Sequence, residues 1–246
     1  MGEHSDKKLI IDGKRVDGRK PDESRPMRIQ AGVLKNARGS ALIEWGLNKV
    51  IAGVYGPREC IPKHGANPHK AIIKVKYAMT PFASKEEHGR AGPSRRSSEI
   101  SKVIRGVFEQ VIEVERYPKT QIDIHLEVLQ AHGGTRVTAI NAGIVALAEA
   151  GIPMKDMVFA IAGGKAEGNI ILDLSKDEDN FGQSDTAICM SHRNKDILLL
   201  QMDGLLTKDE ISKIFEMSEK AGEEIHEKQK QALSDIYGEK EQKVEW

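Results

Sequence analysis

The sequence predicts a mixed α+β fold in which β-sheets pack against α-helices. Three patterns in the 246 residues favour this fold class. Short segments rich in β-branched residues fill the first third of the chain, one stretch repeats apolar residues with helical spacing, and another alternates apolar and polar residues as a half-buried strand does. Each pattern assigns its own group of elements.

The β-branched segments cover residues 41–45, 50–55 and 71–77, with Gly, Pro or Asn between them. These breaks are typical of strands joined by turns. Residues 1–26 are polar and repeatedly interrupted by Gly and Pro, so we expect an irregular N-terminal arm there. One domain is then expected over residues 27–235, followed by a charged tail over residues 236–246.

The helical spacing occurs in residues 100–112, where apolar side chains recur at i, i+3, i+4 and i+7. Ser97 or Ser98 can cap the start of this helix. Residues 121–129 then alternate strictly, which predicts a strand with His125 on its polar face. A second helix follows to about Ala150, and its small residues suit close packing on a sheet.

The last part of the chain predicts four more strands and a final helix. The strands cover residues 157–162, 169–174, 186–190 and 197–201, and the helix begins at about Thr207. Together with the earlier elements they form layers in which sheets and helices alternate.

Composition excludes several classes of protein. No apolar run approaches the ~18 residues of a membrane span, so an integral membrane protein is excluded. The charged first residues do not resemble a secretion signal, so the expected location is the cytoplasm. The two cysteines, Cys60 and Cys189, form no CxxC motif, which argues against a disulfide scaffold or a structural zinc site.

The net charge is zero, with 37 basic and 37 acidic residues, but the charge is unevenly distributed. Residues 58–105 contain eleven basic and four acidic residues. Such a basic segment can attract a polyanion, or it can simply keep charged loops soluble.

A candidate phosphate site lies at Gly134, Thr135 and Arg136, between a predicted strand and a predicted helix. The first N–H groups of a helix are unpaired and carry partial positive charge, and a preceding glycine lets an anion approach the backbone. A hydroxyl and a guanidinium add further donors. The same residues also suit an ordinary tight turn with a threonine cap.

A second candidate site is the acidic cluster that contains Asp179 and Asp185. It fails as an EF-hand, because Phe181 occupies a ligand position and Ile188 stands where the closing glutamate should be. Two carboxylates in a loop and at the start of a strand can bind a divalent cation or act as a general acid. They can equally form a solvated acidic turn.

A third candidate is the pair Arg95 and Arg96, at a boundary between a loop and a helix in the basic segment. Planar guanidinium groups suit phosphodiester oxygens. The alternative is a charged loop that pairs with nearby glutamates.

Taken in order, several segments resemble the RNase PH family. They are residues 17–23, 32–41, 54–57, 79–82, 93–99, 130–136, 150–154 and 172–174, with Glu178, Asp179 and Asp185. The resemblance covers roughly residues 17–233. Within the family, the chain looks like the catalytic RNase PH-type subunit of archaeal exosomes.

The resemblance implies an RNase PH-like fold within a hexameric ring that has a central pore. It implies phosphate-dependent 3′→5′ degradation of single-stranded RNA to nucleoside diphosphates, and the reverse reaction of RNA tailing. The implied cofactors are inorganic phosphate as co-substrate and a divalent cation, Mg²⁺. The implied partners are a paralogous non-catalytic subunit in a hetero-hexameric ring and RNA-binding cap subunits.

The resemblance also implies roles for individual residues. Phosphate would bind at residues 134–136. Asp179 would act as general acid, and Asp185 would position it or help to bind a divalent ion. Arg95 and Arg96 would hold the RNA backbone without base preference, and Lys63 would line the pore. Both aspartates and both arginines are present, so nothing in these motifs indicates an inactive paralogue.

Two other functions remain open at this point. One is a non-catalytic ring subunit that only binds RNA. The other is a homohexameric RNase PH that trims tRNA, although residues 77–82 and 200–204 look more like an exosome subunit.

Overall fold

The computed structural model describes residues 8–11, 13–84 and 94–241. They form eleven strands, four α-helices and two short 3-10 turns. The strands are β1 (Ile10–Ile11), β2 (Lys14–Arg15), β3 (Met27–Ala31), β4 (Gly39–Trp45), β5 (Asn48–Glu59), β6 (Ile72–Met79), β7 (Thr120–Gln130), β8 (Val158–Ala166), β9 (Asn169–Leu172), β10 (Ser184–Ser191) and β11 (Ile197–Gly204). The helices are α1 (Arg95–Val111), α2 (Thr135–Glu149), α3 (Lys176–Phe181) and α4 (Lys208–Glu241).

The strands form two main sheets and one two-stranded ribbon. The first sheet has the order β3-β4-β5-β7-β6, and only its edge pair, β6 with β7, is parallel. The second sheet has the order β11-β10-β8-β9 and is antiparallel throughout. In β7 the alternation predicted from the sequence sends Ile122, Ile124 and Leu126 into the core.

Helix α2 lies between the two sheets and contacts strands of both. All of its residues from Val137 to Leu147 are buried, as expected of a helix that is covered on every side. Its small residues allow this close approach: a Cβ at Gly143 would lie 2.4 Å from the Phe108 ring of α1. Because α2 is fixed by both sheets, its N-terminus has a defined place in the molecule.

Several boundaries differ from those the sequence predicts, and two differences lie close to the candidate site. The N-cap of helix α1 is Ser94, about one turn before the predicted cap at Ser97 or Ser98, and the Ser94 hydroxyl accepts a hydrogen bond from the Ser97 N–H. The Ser97 hydroxyl in turn accepts from the Ser94 N–H, which completes a capping box. The acidic segment predicted as a loop contains the short helix α3.

None of the helices formed by the described residues combines the length and the apolar character that a membrane span requires.

Two helical glycines provide a test of this packing. A Cβ at Gly106 would meet nothing within 4 Å, whereas a Cβ at Gly222 would lie 2.3 Å from the Phe159 ring. We expect Gly106→Ala to raise the free energy of unfolding by about 0.5–1 kcal/mol. Gly222→Ala should lower it by about 1–3 kcal/mol through overpacking. Urea unfolding of the full chain measures both, and shifts of the same sign would contradict the packing of α4 on β8.

Candidate active site

One cavity of about 520 Å³ collects most of the residues that the sequence singles out. It opens between the N-termini of α1 and α2, helix α3 and the start of β10. Six of the eight predicted site residues line it: Arg96, Gly134, Thr135, Arg136, Asp179 and Asp185.

The wall formed by α2 has the features of an anion site. Gly133 and Gly134 have φ angles of 76° and 69°, a left-handed conformation that favours glycine. Gly134 is the N-cap residue and so brings no side-chain cap to the first N–H groups of the helix. The Thr135 hydroxyl is held at 2.9 Å by the buried Tyr77 hydroxyl of β6. These groups can together bind one oxyanion.

The glycine loop touches the start of α3 through its backbone. A Cβ at Gly133 would lie 2.6 Å from the carbonyl carbon of Ser175 and 2.8 Å from the Lys176 nitrogen. Only glycine fits at such a distance, so Gly133 is in direct backbone contact with the start of α3.

The acidic wall is formed by Asp179 on α3 and Asp185 on β10. Burial raises the pKa of Asp179, and the nearby guanidinium groups of Arg96 and Arg136 oppose this shift. Burial also raises the pKa of Asp185, and the negative charges of Asp179 and Asp203 raise it further. Asp203 lies directly across from Asp185 on the neighbouring strand β11. Carboxyl groups with raised pKa values are suited to donate a proton.

The arginines supply the positive charge of the cavity. Arg136 is partly buried, and its Nε has no hydrogen-bond partner among the described residues, so the guanidinium can bind an incoming ligand. Arg96 lines the opposite wall at the start of α1.

Two predicted RNA-binding residues lie apart from this cavity. Arg95 is the exposed first residue of α1 and is not among the described residues that line the cavity. Lys63 stands in a 3-10 turn with its side chain 80% exposed and paired with Glu59 at 2.7 Å. The roles of Arg95 and Lys63 in RNA binding therefore stay predictions.

The structure adds a residue that the sequence did not indicate, Arg25. Its Nε and Nη2 atoms donate to the two carboxylate oxygens of Asp173 at 2.9 and 2.5 Å. Its Nη1 atom donates to the His132 carbonyl at 2.6 Å, beside the glycine loop. Asp173 precedes α3 and has a φ of 52°, an uncommon conformation that Asp tolerates better than most residues. Arg25 thus links the loop that contains Gly133 and Gly134 to the segment that leads into α3.

Arg15 holds the acidic helix in the same way. Its guanidinium forms a two-point ion pair with Glu178, next to Asp179, and donates to the Leu172 and Asp173 carbonyls at 2.5 and 2.8 Å. Both partners are buried. Residues of the predicted N-terminal arm therefore orient the acidic wall.

The carboxylates of Asp179 and Asp185 are also candidate ligands for a divalent cation. Asp179 and Asp185 offer carboxylate oxygens that repel each other electrostatically, which a cation would relieve. Within residues 8–11, 13–84 and 94–241, no group of three or more acidic, histidine or cysteine side chains is arranged to hold a metal. The pair therefore fits an ion such as Mg²⁺, which keeps several waters and takes other ligands from substrate phosphates.

Comparison with protein families matches the chain to two successive models. The 3′ exoribonuclease family model for domain 1 covers residues 23–153, and that for domain 2 covers residues 156–221. The chain belongs to this 3′ exoribonuclease family, the RNase PH family, so the predicted family is confirmed. The division into an arm, a domain over residues 27–235 and a tail stays a prediction.

Curated relatives from archaea cover nearly the whole chain. The exosome complex component Rrp41 of Thermococcus onnurineus is 52% identical over 238 residues, which are 96% of this chain and 95% of the relative. The Rrp41 component of Pyrococcus abyssi is 53% identical over 239 residues, 97% of this chain and 96% of the relative.

Solved structures agree with the fold. Rice Rrp46 superposes with a TM-score of 0.80 at 27% identity, over 89% of this chain and 100% of that chain. A chain of the Archaeoglobus fulgidus exosome with RNA bound to the active site gives a TM-score of 0.75 at 24% identity, over 88% of this chain and 93% of that chain. The predicted fold of mixed sheets packed with helices is confirmed.

The buried ion pair of Arg25 and Asp173 can be tested by a double-mutant cycle. Arg25→Met leaves the Asp173 carboxylate buried without its main partner, so the free energy of unfolding should fall by about 3–5 kcal/mol. Combined with Asp173→Asn, the loss should be well below the sum of the two single losses. Urea unfolding of the four proteins measures this, and simple additivity would show that the pair does not act as a unit.

The raised pKa of Asp185 predicts a pH-dependent effect on stability. Because the folded state favours the protonated form, ionisation at pH 7 destabilises the fold. Asp185→Asn removes this cost, so it should raise the free energy of unfolding at pH 7. The gain should shrink as the pH falls towards ~4, the ordinary pKa of aspartate.

Urea unfolding across this pH range provides the measurement. Glu216→Gln, which changes an exposed carboxylate on α4, is the matched control and should show no comparable gain. A loss of stability at pH 7 in Asp185→Asn would contradict the assigned electrostatics.

Proposed function

We propose that this chain is the catalytic subunit of an archaeal exosome, a phosphate-dependent 3′→5′ exoribonuclease that releases nucleoside diphosphates from single-stranded RNA. One observation carries the proposal: an anion site at a helix N-terminus and a pair of buried carboxyl groups with raised pKa values share one cavity. Phosphorolysis needs both, because phosphate attacks while the leaving oxygen takes up a proton. Membership in the 3′ exoribonuclease family supports the same reaction.

In this reaction an oxygen of inorganic phosphate forms a bond to the phosphorus of the last phosphodiester. The bond from that phosphorus to the 3′ oxygen of the preceding nucleotide breaks. The released oxygen takes a proton and becomes the new 3′ hydroxyl, and the product is a nucleoside diphosphate. The reverse reaction lengthens RNA from diphosphates.

Different residues of the cavity bind the phosphate and the RNA. The backbone at Gly134, with Thr135 and Arg136, binds the attacking phosphate at the start of α2. Arg96, together with Arg95 at the same helix start, holds phosphates at the 3′ end of the RNA.

Asp179 donates the proton to the leaving oxygen, since burial keeps its pKa high. Asp185 positions that group. The carboxylate of Asp185 and the unprotonated oxygen of Asp179 would hold Mg²⁺, which would supply neutralisation of the charge on the phosphate oxygens.

The proposal extends to the assembly. The chain would alternate with a non-catalytic paralogue in a six-membered ring, with RNA-binding cap subunits on one face and Lys63 at the pore. The relatives named exosome complex component Rrp41 support this arrangement. The cytoplasm is the location proposed for such a complex.

The reaction is tested with end-labelled poly(A) RNA, magnesium and the chain, with and without its ring partner. We expect shortening only when phosphate is present, with ADP as product. AMP release without phosphate would indicate hydrolysis, and no shortening even with the partner would favour an RNA-binding subunit without catalysis. A stable homohexamer that trims tRNA precursors would favour the tRNA-trimming RNase PH.

The role of Asp179 is tested in the same assay. Asp179→Asn should lower kcat about 10²–10⁴-fold, the usual contribution of a general acid. The matched control is Asp177→Asn, which makes the same change on α3 at a residue that is not among those lining the cavity, and it should retain activity. Equal activity of the two variants would remove Asp179 from the mechanism.

A further inference from the structure

A second cavity, of about 460 Å³, lies along β6, the edge strand of the first sheet, beside helix α1. Strands β6 and β7 form its floor and helix α1 forms one wall. The lining residues are Lys74, Val75, Lys76, Ser98, Ser101, Lys102, Arg105, Asp123, Ile124 and His125.

Strand register explains why the lysines point into this cavity. In the parallel pair of β6 and β7, Lys74 lies beside Asp123 and Lys76 lies beside His125. These residues alternate with the core residues of their strands and so share the outer face. Helix α1 is anchored to the edge of β6 by the Ser101 hydroxyl, which accepts from the Tyr77 N–H at 2.9 Å.

The residues that line this cavity carry a net positive charge. Its lining holds the cations Lys74, Lys76, Lys102 and Arg105 against the single carboxylate Asp123.

That carboxylate is already bound by Arg58 at 2.6 Å and by Gln121 at 2.7 Å. Arg105 has a long, exposed pairing with Glu109 at 3.5 Å, and Lys74 donates to the Ile61 carbonyl. Among the described residues, neither Lys76 nor Lys102 forms a salt bridge, so both can bind an incoming anion.

Helix α1 borders both this basic cavity and the first cavity, which contains Asp179 and Asp185 and is called the catalytic cavity below. Its first turn, with Arg96 and Ser97, lines the catalytic cavity, and its later turns, with Lys102 and Arg105, line the basic one. At a rise of about 1.5 Å per residue, the two groups of cations lie roughly 9–14 Å apart along the helix axis. A chain held at the helix start can therefore reach the basic cavity.

We infer that this basic cavity binds backbone phosphates of the substrate RNA on the 5′ side of the reacting end. The inference rests on the proposed function, because it concerns the same RNA strand. Lysine contacts to phosphate give affinity without base preference and weaken as salt increases. The cavity collects four of the eleven basic residues of the segment over residues 58–105.

The test uses the complete ring complex with the double variant Lys76→Ala/Lys102→Ala. Phosphorolysis is followed on long poly(A) and on a short oligonucleotide that fills only the catalytic cavity. We expect KM for the long RNA to rise about three- to tenfold, as for two exposed ion pairs. Its dependence on salt should weaken by about 1.4 in the log–log slope, at ~0.7 per phosphate contact. The kcat, the KM for phosphate and the KM for the short RNA should not change.

The matched control is Lys213→Ala/Lys220→Ala, which removes two exposed lysines from α4 and should change none of these values. An equal rise in KM for both RNA lengths, or no rise in either, would overturn the inference. So would a double variant that no longer joins the ring on gel filtration, because the cavity would then bind an acidic protein surface. If the unaltered complex released no ADP, the proposed function itself would fail before any variant was compared.

Discussion

The ion pair between Arg25 and Asp173 is the interaction on which the catalytic cavity depends. A single guanidinium satisfies both oxygens of a fully buried carboxylate and also binds the carbonyl of His132 beside the glycine loop. Arg15 forms a similar two-point ion pair with Glu178 on α3. A buried ion pair adds little stability compared with apolar packing, but breaking it is costly. Here it fixes the position of two loops that apolar contacts alone would leave less defined.

The cavity combines groups whose electrostatic requirements conflict. Asp179 and Asp185 are driven towards the neutral form by burial, while Arg96 and Arg136 favour their ionised form. In the protein alone, burial and the arginines therefore favour opposite protonation states of the two carboxyl groups. In the proposed reaction, substrate phosphates would bring negative charge to the arginines and a proton acceptor to the carboxyl groups, so substrate binding would relieve the conflict. Sites of this kind sacrifice some stability for chemistry.

Local patterns predicted the parts of the molecule that short stretches of sequence determine. The alternation of β7, the apolar face of α1 and the glycine turn before Thr135 each involve neighbouring residues. Helix α3 was missed because its acidic residues have no apolar periodicity. Arg25 was missed because arginine is usually exposed and its partner lies 148 residues away. The raised pKa of Asp185 depends on the cross-strand neighbour Asp203, which pattern alone does not place.

The separation of these partners along the chain also has a consequence for biosynthesis. Arg15 and Arg25 leave the ribosome early, but the carboxylates that they bind are made only after about 150 further residues. Until then the arginines remain solvated and the glycine loop has no α3 against which to pack. The cavity can therefore not assemble on a nascent chain until α3 and the start of β10 have been made. A growing polypeptide would thus lack the proposed ribonuclease activity until synthesis has passed β10.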